Sequence, residues 1–176
     1  MKAWVYGSAV MIGVATFWVL SGAQRAGLVL SGKADSIRAL EAAVAAHPDD
    51  AEVTRRLAQA YLDARQPGLA RVLLDAAPGR IQADIRIQHV LARTLLDVGR
   101  NDLALGVEAG VVAACRPVDG DKLASSCDPV LFASAVRRTG VLREMVAMGV
   151  TDALAHPEAS LVAYENATRE ARVRLE

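Results

Sequence analysis

Catalysis or metal binding in this chain would have to be built from three histidines, His47, His89 and His156, and two cysteines, Cys115 and Cys127. The histidines are scattered, two of them stand directly before prolines, and none forms the i, i+4 pair of a helical metal site. Two cysteines with eleven residues between them and no nearby histidine are an incomplete zinc set, and no C-x-x-C-H run offers a haem attachment. A nucleophile elbow, a P-loop and a glycine-rich dinucleotide fingerprint are also missing from the sequence. These patterns point away from an enzyme and imply no metal and no cofactor. The chemistry left to the cysteines is with each other. An oxidised pair would close a loop of about 13 residues, worth about 3 kcal/mol in chain-entropy terms, which predicts a disulfide between Cys115 and Cys127. Two free thiols are the alternative, because spacing alone does not fix the geometry of a bridge.

Composition says what kind of elements must carry these side chains. More than half of the residues are apolar (53%) while aromatics are few (4%), the balance of an alanine-rich helical protein rather than a disordered one. Acidic and basic residues number 20 each, so no net field draws in nucleic acid or an anionic membrane surface. Partners are therefore expected among proteins or peptides, and not among nucleic acids.

From Ala3 to Ala23 the chain runs without a charge, between Lys2 and Arg25, with Trp4, Tyr6 and Trp18 near the ends of the stretch. A helix of that length rises about 31 Å and matches a bilayer core, which predicts a membrane anchor over 1–30. Ser21-Gly22-Ala23 supplies small residues for cleavage before Gln24, so a removed signal peptide is the alternative. The cysteine pair downstream favours an oxidising, extracytoplasmic (periplasmic) side for the rest of the chain, or a secreted form if the segment is cut.

Beyond the anchor, residues 35–176 read as one helical domain. Ile37, Leu40, Ala43 and Val44 form an apolar stripe that Pro48-Asp49-Asp50 terminates, with an aspartate placed to cap the next helix. That helix, over 51–64, carries Val53, Leu57, Ala58 and Tyr61. After a turn at Pro67-Gly68 a second carries Ala70, Leu73 and Leu74. The pattern recurs over 83–98 with Ile87, Leu91, Ala92 and Leu95, then a Gly99 turn, then Leu103, Ala104, Val107 and Val111. The step from Ala58 to Ala92 equals the step from Ala70 to Ala104, which sets a sequence period. Small residues suit places where helices approach closely.

These positions resemble the tetratricopeptide repeat, whose period of roughly 34 residues is the one that the alanines keep. The first unit supplies Leu57, Ala58, Tyr61 and Ala70, the second Leu91, Ala92, Leu95, Gly99 and Ala104, and Pro48 sits where a preceding repeat would end. No tryptophan opens either unit, Leu95 stands for the tyrosine, and neither repeat closes on proline. Phe132, Ala133, Val136, Gly140 and Pro157 fit a third unit displaced by seven residues, which puts an insertion within 113–128, at the cysteine pair. Counting back one period makes Ser36–Ala46 the second helix of an earlier unit whose first helix would run through Arg25–Leu30. Glu158–Leu175, with Leu161, Val162 and Tyr164 on a charged background, would be the capping helix.

The resemblance implies an all-α, right-handed helical-hairpin solenoid of about three repeats plus a cap, and a function in binding proteins. It also implies a groove lined by the first helix of each unit. On this sequence those positions are Arg55, Gln59 and Leu62, then Arg86, His89, Arg93 and Leu96, then Ser134 and Arg137. Two readings of the arginines stand side by side. One is a cationic trough for an acidic peptide or a carboxylate end. The other is a solvated face paired with Glu52, Asp63 and Asp97. The single-anchor layout is similar to repeat subunits of cell-envelope assembly, including those that hold apocytochrome in cytochrome c maturation. A structural accessory subunit of a large membrane complex is the alternative, for which Gly7, Ser8, Gly13 and Thr16 offer small residues for helix contact within a bilayer.

Overall fold

The structure, a computed structural model, describes residues 35–116, 123–124 and 127–173, with side chains as far as Arg169. The chain divides into two compact units, Met1–Ala39 and Leu40–Glu176. The expected anchor over 1–30, the helix through Arg25–Leu30 and Leu175 lie outside the described residues. Among the described residues no helix is long and apolar enough to cross a membrane.

Every regular element among the described residues is helical. A helix over 35–46 (α1) precedes α2 (Ala51–Asp63), α3 (Pro67–Ala76), the single turn α4 (Gly79–Gln82), α5 (Ile85–Asp97), α6 (Asn101–Cys115), α7 (Pro129–Ala147) and α8 (Pro157–Val173). Local chemistry sets these bounds, and it repeats. Asp50 Oδ1 accepts from the N–H groups of Glu52 and Val53, and one period later Asp84 Oδ1 accepts from that of Arg86, each satisfying amides that an α-helix leaves free at its start. Both helices are 13 residues long and end in a left-handed residue, Arg65 (φ 60°) and Gly99 (φ 74°). There the N–H of Arg65 reaches Leu62 O and that of Gln66 reaches Tyr61 O, and Gly99 and Arg100 do the same to Leu96 and Leu95. These paired hydrogen bonds make a Schellman stop. Pro67 is therefore not part of the turn, as the sequence suggested. It opens α3, where a missing N–H costs nothing.

Within the second unit, α2 packs on α3, both pack on α5, α5 on α6, α6 on α7, and α7 on α8. Ala58, Ala70, Ala92 and Ala104 are all 0% exposed, so the four alanines do mark the close approaches between helices. Tyr61 ties α1 to this array by donating its hydroxyl to Glu41 Oε1 at 2.6 Å.

Two further expectations need correction. On α6 the buried face is Asn101, Ala104, Glu108, Val111 and Cys115, while Leu103 is exposed and Val107 only half-buried. The alternating three- and four-residue spacing runs through a glutamate instead of the leucine. The third unit is also out of register with the sequence reading. Ala133 and Val136 are exposed, and Gly140 lies inside α7, facing Ala167 on α8, instead of at a turn. The buried stripe is Ala135, Thr139, Leu142 and Met145, and the Schellman stop falls at Gly149 (φ 73°), well beyond one period from Gly99. The extra residues do precede α7, which opens at Pro129, 44 residues after Ile85 opens α5, and its 19 residues, six more than either predecessor, carry the stop later still.

Candidate functional site

A cleft of about 360 Å³ opens where α2, α5 and the start of α7 meet, lined by Glu52, Arg55, Gln59, Arg86, His89, Val90, Asp128 and Leu131. Four of the residues expected to line a groove, Arg55, Gln59, Arg86 and His89, are thus brought together. Arg93, further along α5, is not among the lining residues and spans Asp63 (3.5 Å) and Asp97 (4.0 Å). Arg137 is exposed on α7 outside the cleft, and Leu62 is buried in the core.

The cleft is not a bare cationic trough. Arg55 holds Glu52 through two hydrogen bonds, Nε to Oε2 at 2.9 Å and Nη2 to Oε1 at 2.6 Å. That pairing pulls the Glu52 carboxyl below the usual glutamate range and raises the arginine. Gln59 donates to Asp63 (3.0 Å). Arg86 is held more loosely, with Nε 3.6 Å from the Asp84 oxygen that already caps α5. Asp128 is spent in part as the cap of α7, accepting from Leu131 N at 2.8 Å. Both signs of charge therefore face the cleft, and the pairing of arginines with Glu52, Asp63 and Asp97 is present. Burial pushes the Asp97 carboxyl above the aspartate range, an effect that Arg93, Arg65 and Arg138 partly offset.

Behind His89 lies a network that sequence reasoning missed. Glu108, 0% exposed on α6, stands with Oε1 2.7 Å from His89 Nδ1 on α5 and 3.3 Å from Arg138 Nη1 on α7. Arg138 also donates to the His89 carbonyl at 2.9 Å. A carboxylate only accepts, so the proton between Glu108 and His89 belongs to Nδ1, and the ring orientation is fixed from behind. The signal was available: Glu108 lies four residues after Ala104 and three before Val111, in the middle of an apolar stripe. A charge there needs a buried cation. Arg138, three residues after the buried Ala135, lies closer to that core than Arg137.

Cys115 and Cys127 are joined as a disulfide with Cα atoms 5.6 Å apart, a separation usual for such bonds. Cys115 ends α6 inside an apolar cluster with Val111 and Ala135, against which Ile85, Val112, Leu131 and Phe132 pack. Among the described residues no group of three or more potential ligands could hold a metal ion.

Caps, stops and buried alanines that recur at one period, with first helices lining a common cleft, are the geometry of a helical-hairpin repeat. Residues 34–104 match the family model for the tetratricopeptide repeat. Tetratricopeptide repeats are protein–protein interaction modules, and the partners they imply are proteins. The tetratricopeptide match ends within α6, so Glu108, the disulfide, α7 and α8 lie beyond it. No curated protein and no solved structure gives a significant match to the chain.

Proposed function

We propose that the protein is a membrane-tethered, extracytoplasmic assembly module that takes an extended segment of a partner protein into the cleft between α2, α5 and α7. The observation that carries this reading is the convergence of Arg55, Gln59, Arg86 and His89 on one face with Glu52 and Asp128, around the apolar Val90 and Leu131. An extended peptide offers alternating donors and acceptors along its backbone and side chains of either sign, and a cleft that mixes both suits it better than a purely anionic ligand. The uncharged segment over 3–23 supports the tether and the cysteine pair supports the oxidising compartment. Cell-envelope complexes, apocytochrome handling among them, are the setting this combination favours.

The test is affinity purification of the full chain from detergent-solubilised membranes, wild type against Arg55→Glu/Arg86→Glu, with Arg137→Glu as the control outside the cleft. The cleft variant should lose its bound proteins while keeping wild-type helicity by circular dichroism. Equal recovery by all three sinks the cleft as the capture site. Release of the chain by alkaline extraction of membranes would sink the tether. A second reading, a permanently bound accessory subunit, is favoured by the exposed apolar side chains Leu154, Leu161, Val162 and Tyr164 on and before α8. It predicts stoichiometric subunits that survive the cleft variant.

A further inference from the structure

The cleft has two kinds of wall. One belongs to α2 and α5, inside the tetratricopeptide match. The other, Asp128 and Leu131, is the first turn of α7, and the residue before it is Cys127. We infer that the Cys115–Cys127 disulfide holds this second wall in place and so makes ligand capture by the cleft dependent on the redox state of the pair. The inference rests on the proposed use of the cleft.

The anchoring of α7 is uneven along its length. From Ala135 onward it is fixed by the buried Ala135, Thr139, Leu142 and Met145 and by Arg138 bonded across to His89 and Glu108. Ahead of Ala135 no described residue of α7 is fully buried: Pro129 and Val130 are exposed, and Leu131 and Phe132 are half-buried. Among the contacts that tie this turn down are the Asp128 cap, the side-chain contacts of Leu131 and Phe132, the hydrogen bond from Cys127 N to Ala124 O, and the covalent link from Cys127 to Cys115, a side chain with 0% exposure at the end of α6. The link is thus a covalent tie between the core and the cleft's second wall, made by the only two cysteines in the sequence.

A dithiol reductant would enter at Cys127, which is half-buried while Cys115 has no exposure. The S–S bond breaks, each sulfur gains one electron and one proton, and the reductant closes to its own disulfide. The two thiols left behind are small apolar groups inside an apolar cluster, so the packing of α6 on α7 from Ala135 onward persists. Only the first turn is released, and Asp128 and Leu131 leave their places at the cleft.

The experiment selects a binder from a random peptide display library on the oxidised full-length protein in detergent. One is kept whose binding is lost in Arg55→Glu/Arg86→Glu. Its affinity is then measured by fluorescence anisotropy for the oxidised protein, the dithiothreitol-reduced protein, the reoxidised protein and the Cys115→Ala/Cys127→Ala variant. The expected result is binding weakened about tenfold or more in the reduced and doubly substituted forms, a population shift of the wall rather than of the fold. Reoxidation restores it, helicity is unchanged, and hydrogen exchange quickens at Leu131 but not at Leu142. Equal affinity in all four states overturns the inference and leaves the cleft intact as a binding site. Loss of binding together with loss of helicity also overturns it, since the bond would then be a staple of the whole fold. If no selected peptide depends on Arg55 and Arg86, the proposed function falls first and the inference with it.

Discussion

Glu108 is a carboxylate with no exposure, held between a guanidinium and an imidazole at the junction of three helices. Removing one partner of such a buried pair leaves a charge that water cannot reach, so Arg138→Ala should destabilise the protein by about 3–5 kcal/mol. Replacing both partners by apolar residues, Glu108→Leu with Arg138→Leu, should cost markedly less than the sum of the single changes, because the double variant strands no charge. Urea titration of the wild type, Arg138→Ala, the two single leucine variants and the double variant checks this. Additive losses, or an Arg138→Ala variant within about 1 kcal/mol of wild type, would show that the network does not carry a buried charge pair. The same residues show how far a sequence can be read. Repeat positions alone place Arg55, Gln59, Arg86 and His89 on one surface, and the structure brings them together. Setting the register of α7 on the exposed Ala133 instead of the buried Ala135 brings in Arg137 and passes over Arg138. Neighbouring residues on a helix point about 100° apart, which is why one of these two arginines is exposed and the other half-buried.

The stops of α2 and α5 are the same motif built from different residues, and that gives a prediction with opposite signs at one repeat position. At Gly99 the left-handed φ of 74° is joined by crowding, since a Cβ would lie 3.0 Å from Asp152 Cγ. Gly99→Ala should therefore lower stability by about 1–2 kcal/mol, combining the cost of a left-handed alanine with the displacement of Asp152. At Arg65 the same backbone is already occupied by a residue with a Cβ. Arg65→Gly should relieve that strain and raise stability by less than about 1 kcal/mol, part of the gain being returned as backbone entropy in the unfolded chain. Thermal unfolding of the two variants decides it, and changes of the same sign would contradict the equivalence of the two stops. Elements of the first two units were legible because Asp50 and Gly99 are strong local signals that need no tertiary context. The third was not. Its first helix is six residues longer and its stop waits until Gly149, so a ruler set by the first two units misplaces Ala133, Val136 and Gly140. The helical content is right there, but the face is wrong.

In an array where each helix packs mainly on its neighbours, stability is a chain of local interfaces, and different conditions loosen different ends. The disulfide constrains the α6–α7 connection. At the opposite end of the array, α1 is tied to α2 by the Tyr61–Glu41 hydrogen bond. Burial, reinforced by the hydrogen bond and the negative charge of Glu41, pushes the Tyr61 phenol from about 10 in an unfolded chain up to about 12. The folded state therefore keeps a proton that the unfolded state has lost in that interval. Tyr61 contributes its full stability below about pH 10 and gives it up as pH rises through about 12. Wild-type protein should show a loss of stability across this window that Tyr61→Phe lacks, with the variant less stable than wild type at pH 8 and closer to it at pH 12. Amide exchange at high pH should open α1 before the disulfide-linked α6 and α7, because ionised Tyr61 repels Glu41 at one end of the array only. Chemical denaturation of both proteins at a series of pH values, with the difference between them as the readout, isolates Tyr61 from the other groups that titrate there. Parallel curves for the two proteins would mean that Tyr61 ionises as freely in the fold as outside it, and that α1 is held by packing alone.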